Sequence, residues 1–340
     1  MATASNGEDA QTLQRADGLW FEDGSIVLQA ETTQFRVYHG LLASCSPVFK
    51  DMMTLPHPSD SELVEGCPFV LLHDSAAETT LFLRAIFDSS FFPPFPVYAD
   101  YYTILACLRL GNKYQVDFLR RRALIHLSSI TDTQLKRWDR VSGVYSQANS
   151  RTPPPSSSLS LDSVASLGRE VDALWLLPDA FYNLASRSAS GIAEAVLHGD
   201  YYGGSFYRLS TQDQSAFFVG HAAQCNAMDD VLEFLSLPAD IPECVSPESC
   251  ARERFKAIGA SRERIGTLSS RPLSAWGVCQ WDLLKDLCPT CCCALETKHR
   301  AARRAFWDNL PGIYDLPSWD ELEKMKVAAI GTDWLAPDGC

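Results

Sequence analysis

The chain has 340 residues, a formal net charge of −13, and 46% hydrophobic against 21% charged residues, an ordinary composition for a globular protein large enough to hold two domains. Its acidity opposes broad electrostatic binding to nucleic acid, which needs Lys and Arg to displace counterions from phosphates. No apolar run reaches the roughly 18 residues of a membrane helix, and the richest, residues 173–182, is broken by Pro178 and Asp179. In chain order, residues 1–17 lack a basic-then-apolar leader and read as a disordered tail, which predicts a cytoplasmic or nuclear location and no membrane partner.

Asp23-Gly24 is a turn signal, followed by a short strand at Ile26, Val27 and Leu28. After the polar break Glu31-Thr32-Thr33-Gln34, a second strand with Phe35 and Val37 completes a β-hairpin. Leu41, Leu42 and Cys45 recur at helical spacing, and Ser46-Pro47 restarts a helix whose apolar face is Val48, Phe49, Met52 and Met53. A third strand at 69–74 and helices at 77–87, 101–114 and 116–127 close a unit over residues 18–130. The Pro/Ser-rich stretch within 131–160 reads as a linker. From 161 to 340 the pattern is helical throughout, with capping patterns at Ser210 to Asp213 and Ser318 to Glu321. The predicted fold class is therefore α+β: a short three-stranded sheet capped by helices, then an all-α, Cys-rich C-terminal domain.

Asp23, Phe35, Tyr38-His39, Leu42-Ala43, Ser46 and Phe49 resemble the opening signature of the BTB/POZ family. In that family an Asp precedes the first strand and is followed by Phe-x-x-aromatic/Ala-His-x-x-Leu-Ala-x-x-Ser-x-x-Phe. The resemblance covers about residues 18–130, and its latter part is most similar to BTB proteins of mushroom-forming fungi. Such proteins often carry a tail pattern that Trp307, Leu310-Pro311, Tyr314, Leu316-Pro317, Trp319 and Leu322 match here. The resemblance implies a non-enzymatic module that binds protein partners and forms a homodimer through its first strand and first helix. It also implies docking to cullin scaffolds of ubiquitin ligases or to transcriptional partners. The implied interface is Leu19, Trp20, Phe21, Asp23, His39, Leu41, Leu42 and Phe49. Two departures stand out. Gly40 occupies the place where many members carry Arg, and Pro93, Pro94 and Pro96 remove ladder donors where cullin-binding members add a strand.

A search for catalytic constellations finds no phosphate-cradling loop, no His-Glu-x-x-His and no Gly-x-Ser-x-Gly, so no catalytic residue and no cofactor are expected. The lone Gly203-Gly204 pair reads as a turn, and His39 at a strand-to-helix joint as a capping or core residue. Twelve cysteines are present, five of them between 279 and 293. Cys288 and Cys291 have C-x-x-C spacing and Cys244 and Cys250 supply a second pair, enough for a structural zinc, with His299 and Cys279 as spare ligands. Buried free thiols are the competing reading, and redox chemistry a third. Lys298, Arg300, Arg303 and Arg304 fit the solvated face of an amphipathic helix. The alternative is a nucleic-acid stripe on a nuclear, transcription-associated regulator.

Overall fold

The computed structural model describes residues 12–54, 63–139, 161–236, 241–265, 270–274 and 276–332, and it is a mixed α/β structure in which a sheet is followed by many helices. Strands β1 (Gln14–Trp20), β2 (Ile26–Ala30), β3 (Thr33–Val37), β4 (Leu63–Val64) and β5 (Cys67–Leu72) form one sheet in the order β1-β3-β2-β5-β4. The three expected strands are its centre. β2 pairs antiparallel with β3 from Ile26↔Val37 to Ala30↔Thr33, and parallel with β5 from Val27↔Phe69 to Ala30↔Leu72. Ile26, Val27, Leu28 and Ala30 are all buried, so β2 is covered on both faces and reads as an unbroken apolar run. The sheet is wider than the three strands expected. β1 runs parallel to β3 and β4 pairs antiparallel with β5. β1 also corrects the tail, since Gln14 to Asp17 fall within a strand.

Helices α1 (His39–Cys45), α2 (Pro47–Thr54), α3 (Ala76–Phe87), α4 (Tyr101–Lys113) and α5 (Asp117–Ser128) complete this half. Local chemistry sets their ends. Ser46 Oγ accepts the Phe49 N–H at 3.0 Å and donates to the Tyr114 carbonyl at 2.5 Å, starting α2 and fastening it to the end of α4. Ser75 and Asp100 cap α3 and α4 by accepting the N–H groups of Glu78 and Thr103. Phe49 stacks on Tyr114 with centroids 4.5 Å apart, so two signature positions meet the same residue.

The second half contains α6 (Leu161–Glu170), α7 (Leu177–Leu184), α8 (Ala189–Ala193), α9 (Thr211–Leu232), α10 (Pro247–Ile265), α11 (Val278–Trp281), α12 (Pro289–Ile313) and α13 (Trp319–Ile330). It is not all-α. A hairpin, β6 (Asp200–Tyr202) and β7 (Ser205–Tyr207), turns at Gly203 and Gly204, both in the left-handed region. Aromatic side chains alternate across it: Tyr202 stacks on Tyr102 at 4.6 Å and Tyr207 is buried, while Tyr201 and Phe206 face solvent.

One continuous core joins the two halves, running from Leu28 and Phe35 through Leu124 to Trp175, Phe181, Trp307 and Tyr314. Polar ties reinforce it. Trp175 Nε1 donates to Ser128 Oγ at 2.9 Å, and Tyr207 OH donates to Glu78, which also pairs with Arg109. Consecutive arginines on α5 reach three distant carbonyls: Arg120 that of Val171, Arg121 that of Ile330 and Arg122 that of Phe92. Residues 131–139, expected as linker, contribute buried Thr131, Asp132, Leu135 and Trp138, and Trp138 Nε1 donates to Asp179 at 2.8 Å. The rest of that linker lies outside the described residues. A second, smaller core gathers Phe234, Leu235, Cys250, Ala257, Trp276, Leu284, Leu287, Cys288, Cys291 and Leu295. Among the described residues no helix is long and apolar enough to cross a membrane.

Candidate functional site

The eight implied interface residues divide by burial. Leu19, Leu42 and Phe49 are at most 1% exposed and belong to the main core; in this fold they give no contact area to a partner. Trp20 is half-buried beneath the Arg15 guanidinium, 4.3 Å from its ring, and its indole N–H is buried without a partner among the described residues. Phe21 packs half-buried against Tyr38 and Phe87 at 4.9 and 5.6 Å. Asp23 is exposed and accepts the Tyr38 hydroxyl at 2.7 Å; this bond, more than any other influence, raises the Tyr38 pKa. His39 is exposed, not a core residue, and its backbone N–H donates to Ser25 Oγ at 3.1 Å. Leu41 is 40% exposed on α1. The surface left by this division is Trp20, Phe21, Asp23, His39 and Leu41.

The cysteine pairs converge. The sulfurs of Cys244, Cys250, Cys288 and Cys291 all lie within 4.8 Å of one another. Cys244 Sγ is 3.7 Å from Cys288 Sγ and 3.3 Å from Cys291 Sγ, and all four cysteines are free thiols. Helix starts create this meeting. Pro247 opens α10 and brings Cys250, in its first turns, back toward Cys244 in the loop before it. Cys288 caps α12, accepting the Cys291 N–H at 3.5 Å, and Pro289 follows as the first helical residue. Cys250 Sγ accepts the Cys288 N–H at 3.4 Å.

Backbone donors and the positive ends of helices favour thiolate over thiol. The Cys291 N–H leads in pulling the Cys288 thiol down to about 6. Burial first, and then hydrogen bonding with Cys244 and Cys288, push the Cys291 thiol well above its ordinary value.

The spare ligands do not join. His299 is buried between Phe234 and Trp281, with ring centroids 5.0 and 5.6 Å away, and burial followed by the nearby Arg303 holds its pKa down to about 4. The Cys279 side chain lies outside the described residues. Cys292 Sγ points to Glu296 at 3.6 Å, and Cys293 is exposed.

The basic run is partly spent inside the molecule. Arg303 donates to the Leu273 carbonyl and to Asp139, while Lys298, Arg300 and Arg304 are exposed, Arg304 pairing with Asp308 along its own helix at 2.9 Å. The tail pattern is structural in its packing: Trp307, Leu310, Tyr314 and Leu322 are at most 2% exposed. Tyr314 OH donates to Gln224 at 2.7 Å. No protein-family model matches this chain, and no curated protein matches it.

Proposed function

We propose that this protein is a non-enzymatic interaction module of the BTB/POZ kind, acting by binding protein partners and a second copy of itself. The observation that carries this reading is the role of the signature residues. Phe35, Leu42, Ser46 and Phe49 are the buried pegs of a strand-strand-helix-helix layer, while His39 and Leu41 beside them are exposed and Trp20 is half-buried. Apolar and aromatic side chains of that type, set among polar ones, serve as interface anchors. In this reading the four-cysteine cluster holds a structural zinc and does no chemistry on a substrate. Its all-sulfur donor set, with no carboxylate among the ligands, suits a closed site.

The test is light scattering with size-exclusion chromatography on the full chain across protein concentration. A dimer that Leu41→Asp converts to a folded monomer supports the reading. A monomer at every concentration removes self-association and leaves partner docking alone.

A further inference from the structure

We infer that a zinc ion bound by Cys244, Cys250, Cys288 and Cys291 is the staple of the small second core, so that losing the metal unfolds this lobe while the main core stays folded. The inference rests on the structural-zinc reading and adds where the metal's stabilisation acts.

The cluster has the dimensions of a tetrahedral thiolate site. Four sulfurs at about 2.3 Å from one zinc stand about 3.8 Å from each other, close to the 3.3 and 3.7 Å measured here and inside the 4.8 Å that bounds the whole set. Sulfur donors select zinc over calcium or magnesium, which take oxygen. Neighbouring thiols are turned away because successive helical residues rotate by about 100°. Cys292 and Cys293 therefore leave the cluster although they follow Cys291 directly, and Cys293 reaches solvent. The N–H groups of Cys288 and Cys291 point at cluster sulfurs, supplying the outer hydrogen bonds that hold thiolates in place.

What the metal would join decides its effect. One pair brackets the start of α10 and the other brackets the start of α12, and Cys250 and Cys288 are 38 residues apart in the chain. The lobe around these two helix starts has a thin apolar core. Of its ten buried hydrophobic members among the described residues three are the cysteines themselves, leaving Phe234, Leu235, Ala257, Trp276, Leu284, Leu287 and Leu295. A core this small is in the range where natural proteins add a metal or a disulfide, and the cysteines here are unbridged. The main core needs no such help, since its buried residues run from β2 to α13 without the cysteine cluster. The staple is therefore local.

The experiment uses the full chain purified in reductant without chelator. Zinc is quantified by elemental analysis, cobalt(II) is exchanged in for its visible spectrum, and amide hydrogen exchange is followed before and after extraction with a zinc-selective chelator. About one zinc per chain is expected, with a cobalt form showing thiolate charge transfer and tetrahedral d–d bands. Extraction should speed exchange by at least about tenfold in residues 241–265 and 276–295 and by less than about twofold in β2, β3, β5 and α3 to α5. Cys293→Ser should keep the metal, whereas Cys244→Ser should lose it.

Zinc below about a tenth of an equivalent, together with no cobalt spectrum, overturns both the site and the zinc reading. Metal bound but extraction without effect on the lobe overturns the staple and leaves zinc standing. A rise spread equally over the main core overturns its local action.

Discussion

Trp319 lies flat on Trp307, with ring centroids 4.7 Å apart and planes 10° from parallel, and its indole N–H donates to the Trp307 carbonyl at 2.6 Å. This pair folds the tail back on itself. α12 ends near Pro311, Asp315 takes a left-handed turn at φ 55°, and the Ser318–Glu321 capping box starts α13 so that Trp319 returns to the helix it left. Trp307→Ala removes the platform and opens a cavity in the main core. It should cost about 3–5 kcal/mol, as large aromatic truncations do, read as a lower urea midpoint with α13 losing hydrogen-exchange protection first.

Gly220 marks the closest approach of α9 to Tyr314. A Cβ built there meets the Tyr314 ring at 2.2 Å and the Ile313 carbonyl at 2.8 Å, and the ring is buried against Phe181 and Phe217. Gly220→Ala gains helix propensity yet should destabilise by about 1–3 kcal/mol through overpacking. Thermal melts of the single variant and of Gly220→Ala with Tyr314→Leu check this, the second change recovering part of the loss.

Ser46→Ala deletes two bonds at once, the α2 cap and the bond to the Tyr114 carbonyl. A lost cap alone costs about 1 kcal/mol and an unpaired buried carbonyl about 1–3 kcal/mol. The variant should therefore fall below wild type in urea titration by more than Ser44→Ala, whose exposed hydroxyl makes only local contacts.

Two buried groups give opposite pH slopes in one window. Burial raises the Asp179 carboxyl to about 6 from an ordinary 3.8, against the Trp138 N–H that favours its charge. Between about 4 and 6 the folded state then holds more protons than the unfolded, so this group lowers stability as pH rises, by up to about 3 kcal/mol. Asp179→Asn should flatten that slope.

His299 acts the other way. Its pKa falls from 6.5 to about 4, chiefly by burial, so the unfolded state binds the extra proton between those values and stability rises with pH. His299→Leu should therefore gain on wild type on acidification from pH about 6.5 to 4, by up to about 3 kcal/mol, measured as the difference in unfolding free energy at each pH.

Much of this was legible in the residues. The apolar run at 26–28 after the Asp23-Gly24 turn, the Ser46-Pro47 restart and the capping boxes depend on neighbours a few positions away, and each places its element. Cys288 and Cys291 were readable as candidates because C-x-x-C spacing is a property of one helical turn, and Cys244 and Cys250 entered only as a second pair within the same Cys-rich half. What escaped depended on distance in the chain. β1 is a strand because β3 offers it an edge, with Gly18 inside it at a positive φ. Leu42 and Phe49, read as docking surface, are covered by the remainder of their own molecule. The aromatic hairpin did leave a signal: the paired glycines between Tyr201-Tyr202 and Phe206-Tyr207 are a turn flanked by strand-forming residues. The expected domain boundary met a different difficulty, since Trp138 and Trp175, on either side of the Pro/Ser-rich stretch, belong to one core.

That shared core has a practical consequence for anyone isolating the first 130 residues. A fragment ending after α5 would strip Arg120 of the Val171 carbonyl, Arg121 of the Ile330 carbonyl and Ser128 of its indole donor. It would also bare the apolar surface that Val164, Leu167 and Trp175 seal in the intact chain. Such a piece would stick to itself through a wound made by the scissors, and its oligomers would describe the cut edge instead of the native surface.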